Sequence, residues 1–423
     1  MRATPRPDHE ATSTGTVSIT GAAREPYLSH LRASLTGLVI CHHAAITLGA
    51  AGDWYYVIPP PPGSFAPLVL TCFTALNQAF FMALFFFIAG YFTPDSLDRK
   101  GPARYLQDRF IRLGVPLVVY YFFLNPCAVY MAYRCGSPEV LLNRLGTRGD
   151  LSPEVLAARE AIIRRFAGTR GDNLPAFFHA TFPDSCGPGP LWFTEILLIF
   201  TVAYVAWRVL YPRRSRPMPL PGSPRVLAFM CAMGVAAFAI RLVFPVGAFL
   251  PVLGIQPAHF PLYVALFLVG IAARPGQWLE QLSRRVACPW VAVAIATCAM
   301  IPLLLVAGGG ASGGVGAFLG GWTWQAALYA LLEPVLCVGI SVGLLTAFRA
   351  RWNRETPAWR FAADSAYAAY IIHPFFVIGA ACLMRDWTVD PLLKFPVLCL
   401  LSTTSAFVAA SFIRRIPLFR RVL

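Results

Sequence analysis

The sequence is broken into ten apolar blocks, most of them close to twenty residues long, at 29–49, 68–92, 111–133, 190–210, 225–245, 258–273, 287–306, 322–347, 365–384 and 392–412. A helix rises about 1.5 Å per residue, so a block of that length matches the ~30 Å hydrocarbon core of a bilayer. Only 13% of the chain is charged and 57% is hydrophobic, whereas a soluble domain carries about 25% charged residues. Lipid leaves the backbone no outside hydrogen-bond partner, so spanning segments must be helices or closed barrels. The short alternating segments of a barrel are missing. The expected fold is therefore an all-α integral membrane protein: a bundle of about ten transmembrane helices with both termini on one side.

Basic residues orient that bundle. Of the 35 Lys and Arg, 25 fall in the N-terminal stretch, the 2–3, 4–5, 6–7 and 8–9 connections, and the C-terminal stretch. This bias places both termini in the cytoplasm of an inner (cytoplasmic) membrane protein. The formal charge of +15 lies at the ends of apolar blocks. That distribution suits lipid headgroups and excludes a nucleic-acid partner. Residues 1–28 are polar and rich in Ser, Thr, Ala and Pro, which predicts a disordered cytoplasmic leader. The first apolar block, near Leu31, then serves as an uncleaved start-transfer helix. The transmembrane domain runs over 29–415, followed by a cytoplasmic tail, 416–423.

The 134–189 connection is the one long hydrophilic piece, expected outside the cytoplasm. Within it, Ser152-Pro153-Glu154 reads as a helix start, with Ser as N-cap and Pro at the first helical position. Val155, Leu156, Ile162, Ile163 and Phe166 follow at helical spacing. They predict an amphipathic helix on the outer membrane surface or over a cavity mouth. Cys135 and Cys186 bracket this connection and are candidate disulfide partners in an oxidising compartment. The eleven cysteines show no metal-ligand spacing, and no metal is expected.

Several titratable residues fall inside the apolar blocks, where such groups usually mark function. Arg32 and His43 are eleven residues apart, so they share one face of the first span, His43 about 16 Å deeper. A neutral imidazole at that depth suits proton transfer; the bland alternative is an inter-helix hydrogen bond. His42 points to another face. The ninth span carries Ser365, Tyr367, Tyr370, His373 and Pro374; Tyr370 and His373 are neighbours on one face. Glu333-Pro334 lies deep in the eighth span, where the carboxylate could orient a histidine or pair with Arg241. Glu195 lies near the outer end of the fourth span. At the cytoplasmic mouth Arg104 is followed by Arg109 and Arg112, three apart on one face. They are suited to phosphate or to positive-inside retention alone.

Together these pieces resemble the acyltransferase 3 family of membrane acyltransferases. The resemblance rests on Arg32 followed by His43, the Arg109-x-x-Arg112 pair, and the run Phe85-Phe86-Phe87-Ile88-Ala89-Gly90-Tyr91. Leu191-Trp192-Phe193 and the series Ser365, Tyr370, His373-Pro374 complete it. It covers about residues 27–415. Leu31-Arg32-Ala33 and His43-Ala44-Ala45 with Trp54 look most like the glucan-modifying, succinyltransferase-like branch. The sequence departs from the common pattern in lacking an acidic residue directly before Leu31. The resemblance implies transfer of an acyl group from cytoplasmic acyl-CoA, the donor co-substrate, to a hydroxyl of a sugar, glucan or glycolipid, as in cell-envelope modification. No bound cofactor is implied. Arg32, Arg104, Arg109 and Arg112 would hold the CoA phosphates. His43 would serve as general base or acyl carrier, with His373, Tyr370 and Glu333 as further catalytic candidates; His373 or Tyr370 would donate to the thioester oxyanion. The competing reading is a proton-coupled transporter or flippase. The arginine pair and the lack of internal repeats count against it.

Overall fold

The computed structural model describes residues 25–136, 153–169, 171–211, 217–250, 254–310, 315–417, 419 and 422. Among them the regular structure is helical, apart from one isolated bridge between Leu250 and Ile255, and the connections are turns and irregular chain. The helices are α1 (Pro26–Thr47), α2 (Ala66–Lys100), α3 (Pro102–Cys135), α4 (Pro153–Gly168), α5 (Leu174–Thr181) and α6 (Trp192–Leu210). They continue with α7 (Ser223–Arg241), α8 (Phe260–Ala273), α9 (Arg284–Ala307), α10 (Trp324–Arg351), α11 (Pro357–Met384) and α12 (Pro391–Ile413). Threonine and aspartate caps start the last three: Thr323, Thr356 and Asp390 each accept a hydrogen bond from a first-turn N–H. Pro357 and Pro391 follow at the first helical position, where the missing N–H costs nothing.

Eight of these helices are long and apolar enough to cross a membrane: α2, α3, α6, α7, α9, α10, α11 and α12. The two remaining blocks read from the sequence are helical but different. α1 carries His30, Arg32, His42 and His43 and packs against α2, α10, α11 and α12, so its histidines are turned toward protein. α8 has 14 residues, about 21 Å of rise. It lies backbone to backbone on α2: a side chain on Gly90 would collide with the Phe267 carbonyl, and one on Gly270 with the Phe87 carbonyl. Small residues at such a crossing let two membrane helices pack closely.

Proline shapes the helix that flanks the site. Pro116 has no N–H to give the Arg112 carbonyl one turn back, and α3 answers with a π-turn over Phe110–Gly114. The Tyr367 hydroxyl donates to the freed Arg112 carbonyl at 2.7 Å. A second π-turn, Tyr120–Leu124, precedes Pro126 and frees the Tyr121 carbonyl, which accepts from Gly187 N–H at 3.2 Å.

Ion pairs gather the basic helix ends at one end of the bundle. Arg208 on α6 meets Asp98 on α2 at 2.7 Å, Arg274 meets Asp95 at 2.6 Å, and Arg414 on α12 meets Asp364 on α11 at 3.9 Å. Arg274 also reaches Glu25 at 3.4 Å. Burial of Glu25 raises its carboxyl above the usual range, against the opposing charge of Arg274. The other end carries α4 and α5, whose Phe166 and Phe177 pack on Tyr133 of α3. Helix α4 covers the cavity described below, with Arg159, Ile162 and Ile163 on its wall. Ser152, the expected N-cap, lies outside the described residues, as does most of the leader.

The disulfide differs from the expected pair. Cys135 bonds to Cys382, with Cα atoms 5.8 Å apart, and Cys186 is free. Cys135 ends α3 and Cys382 lies in the last turns of α11, which pack together. Cys382 sits within an apolar block, which hid it from a reading that looked only at hydrophilic segments.

Candidate active site

The dipeptide His373-Pro374 sets the centre of the site. Pro374 cannot donate to the Tyr370 carbonyl one turn back. The His373 side chain takes that place, with Nδ1 2.6 Å from Tyr370 O. A carbonyl accepts only, so Nδ1 of His373 carries its hydrogen and Nε2 keeps a lone pair. That lone pair faces His43 Nδ1 at 2.9 Å. The network therefore assigns the hydrogen of His43 to Nδ1 and leaves its Nε2 as a free base. Two neutral imidazoles and one proline-freed carbonyl fix the tautomer without a carboxylate.

His373 is wholly buried, whereas His43 is half-buried and lines a cavity of about 1620 Å³. The indole of Trp54 stacks on His43 with ring centroids 3.8 Å apart and planes 10° from parallel. An aromatic face in that position favours positive charge on the ring it covers. His42 is buried against Phe81, rings 5.0 Å apart, and meets His43 edge-on at 5.6 Å. Tyr55 and Asn125 lie on the same wall; the Tyr55 hydroxyl donates to Asn125 Oδ1 and lies 3.0 Å from the Tyr120 hydroxyl.

Tyr370 faces away from chemistry: its hydroxyl donates to the Pro190 carbonyl. His373 spends its hydrogen on Tyr370 O. Neither offers a free hydrogen to the cavity, so in this conformation neither meets the oxyanion-donor role read from the sequence. Both position His43 instead.

Glu333 orients a histidine, but a different one. Its Oε1 lies 2.8 Å from His259 Nδ1, and its Oε2 accepts from Arg241 Nη2. All three are buried, and none of these contacts involves His43 or His373. Arg241 and His259 do line the cavity that His43 lines. The wall between the two clusters runs through Trp192 and Tyr263, whose rings stack at 5.6 Å.

The arginines gather at the basic end. Arg104 and Arg112 are exposed; Arg109 is half-buried over the Tyr105 ring at 5.0 Å. Arg32, on the first turns of α1, is exposed as well. None of the four lies on the wall of the cavity. Leu35 and Val39 on α1, with Phe193, Tyr367 and Tyr370, pack into one apolar cluster between them and His43. The helix face joining Arg32 to His43 is thus filled by core side chains, Leu35 and Val39, and the arginines and His43 do not share the cavity.

Sequence reasoning missed His259, Tyr55 and Asn125. His259 is the second residue of the short 258–273 block, at its very edge, and Tyr55 lies in a connection, so neither stood out as an ionisable group deep inside a span. Among the described residues no three of His, Cys, Asp and Glu gather as a metal site.

The family model for the acyltransferase domain, Acyl_transf_3, matches residues 25–411, which takes in both histidines, the arginines and the cavity wall. No curated protein and no solved structure matches the chain. With nearly its whole length covered, the chain belongs to the acyltransferase 3 family and is a multi-pass membrane acyltransferase.

Proposed function

We propose that this protein is an O-acyltransferase moving an acyl group from cytoplasmic acyl-CoA to a hydroxyl of a sugar, glucan or glycolipid at or across the inner membrane. The observation that carries the reading is the tautomer chain Tyr370 O, His373, His43, which leaves His43 Nε2 unprotonated on the cavity wall. In the proposed reaction that nitrogen takes the proton of the acceptor hydroxyl as its oxygen attacks the thioester carbonyl. The tetrahedral intermediate collapses with loss of the CoA thiolate. The proton held on His43 passes to the leaving sulfur, giving ester and free CoA. Trp54 stabilises the transient imidazolium.

Arg32, Arg104, Arg109 and Arg112 are the proposed phosphate contacts of the donor. The layer of Leu35, Val39, Tyr367 and Tyr370 must then open for the thioester to reach His43. Ten membrane passages with cytoplasmic termini fit this arrangement. The basic helix ends gather at one end of the bundle, and the Cys135–Cys382 bond joins the opposite ends of α3 and α11, as an oxidising outer compartment permits. Within the family we place the chain with the glucan-modifying enzymes, on Leu31-Arg32-Ala33 and Trp54.

The test is release of free CoA thiol by purified protein given acyl-CoA and candidate acceptors, with mass spectrometry of the product. His43→Ala is expected to lower turnover about 10²- to 10⁴-fold. Unchanged turnover in that variant removes His43 as base, and acceptor movement without ester formation replaces transfer with transport.

A further inference from the structure

Elsewhere on the cavity wall lies a cluster that the transfer step does not use. Arg241 is 0% exposed and lines the cavity. Its Nη2 serves Glu333, and its guanidinium carbon lies 4.8 Å from the Tyr329 ring centroid. Its Nε and Nη1 groups have no hydrogen-bond partner. An arginine cannot shed its charge, and buried N–H groups without acceptors are costly. Both oxygens of Glu333 are already engaged, by Arg241 and by His259 Nδ1. Arg241 and His259 line the cavity, whereas Glu333, which pairs with both, does not. The other charged groups on the wall, Asp53 and Arg159, face each other at 3.9 Å. Gln78 is turned to the Tyr263 hydroxyl at 2.8 Å. The cavity thus has one cationic, donor-rich spot, separate from the His43–His373 pair.

We propose that Arg241 and His259 form an anion-recognition subsite that takes a carboxylate or phosphate group of the molecule filling the cavity. The free Nε and Nη1 lie on different edges of the guanidinium, and each supplies N–H to a carboxylate or phosphate oxygen as a charge-assisted donor. Glu333 holds Arg241 and His259 in place as a positioning residue. The inference does not rest on acyl transfer, since it concerns charge recognition by whatever occupies this space.

The experiment measures saturable thermal stabilisation, and quenching of the wall tryptophans, in purified wild-type protein. The probes are malonate, inorganic phosphate and glucose, with chloride at equal ionic strength as control. Malonate or phosphate is expected to act where glucose and chloride do not, and the stronger of the two identifies the group. Arg241→Lys keeps the pair with Glu333 but loses the free Nε and Nη1 donors, and is expected to weaken the apparent Kd about tenfold. Should that variant not fold, Arg241→Gln with Glu333→Gln removes both charges together and is expected to abolish the response. No anion response in the wild type, an equal response to glucose, or an undiminished response in the folded variant overturns the proposal. His43→Ala is expected to keep the anion response while losing transfer, which separates this subsite from the chemistry.

Discussion

Replacing Pro374 by alanine tests the tautomer lock at its origin. In the native helix no backbone donor serves the Tyr370 carbonyl, and His373 Nδ1 fills it at 2.6 Å. Pro374→Ala restores an N–H one turn away, which competes for the same oxygen. His373 then loses its reason to carry hydrogen on Nδ1, and His43 loses its reason to keep Nε2 free. One buried neutral hydrogen bond is worth about 0.5–1.5 kcal/mol. That figure translates into a fall in kcat/KM of roughly two- to tenfold. Stability should move the other way, because proline inside a helix is disfavoured relative to alanine by about 3 kcal/mol. Free-thiol release and a thermal melt on the same preparation separate the two effects. A matched pair sharpens the test: His373→Gln offers an amide oxygen to His43 Nδ1 and should keep more activity than His373→Leu. Full activity in Pro374→Ala, or activity and melting temperature falling together, refutes the reasoning.

Arg109→Ala and Arg112→Ala are each expected to raise KM for acyl-CoA about tenfold or more while kcat changes little, since a charge-assisted contact is worth about 1.5–3 kcal/mol; steady-state kinetics across donor concentrations decide it, and a kcat effect alone counts against phosphate binding. Cys382→Ser should free Cys135 for thiol labelling and cost about 2–4 kcal/mol of stability. Cys186→Ser should do neither, and equal effects from both would dissolve the assigned pair. Burial raises the pKa of Glu25, so the folded protein holds that proton above the pH at which the unfolded chain releases it. Its contribution is therefore favourable at low pH and is lost as pH rises through the raised value. Glu25→Gln should flatten the melting profile across that window, and a wild-type profile in the variant contradicts the assignment.

Much of the fold was legible because lipid enforces a simple rule on length and apolarity, and eight helices follow it plainly. α1 did not fit the rule as a lipid-facing span. Its His30, Arg32, His42 and His43 are tolerable because four other helices surround it, which no single block reveals. The spacing of Arg32 and His43 on one helix set out a face. It could not give what fills that face, and Leu35 and Val39 close it. Glu333 was legible as a buried carboxylate in need of a partner. That partner set includes His259, 74 residues away in sequence, on a short turn that periodicity does not register.

The prolines explain why some of the site was readable in advance and the rest was not. A proline inside a helix announces one orphaned carbonyl four residues back: Arg112 for Pro116, Tyr370 for Pro374. The sequence thus states where an acceptor is left open. The claimant depends on packing. At Pro374 the donor is the adjacent residue, His373, so the dipeptide alone nearly determines the geometry. At Pro116 the donor is Tyr367, 255 positions away, and only the assembled bundle identifies it. That bond ties the arginine-bearing turn of α3 to α11 one helical segment from His373. A donor gripping Arg109 and Arg112, as proposed, would therefore pull on the same helix that carries His373. The cost of breaking one neutral hydrogen bond, about 0.5–1.5 kcal/mol, is less than a single charge-assisted phosphate contact returns.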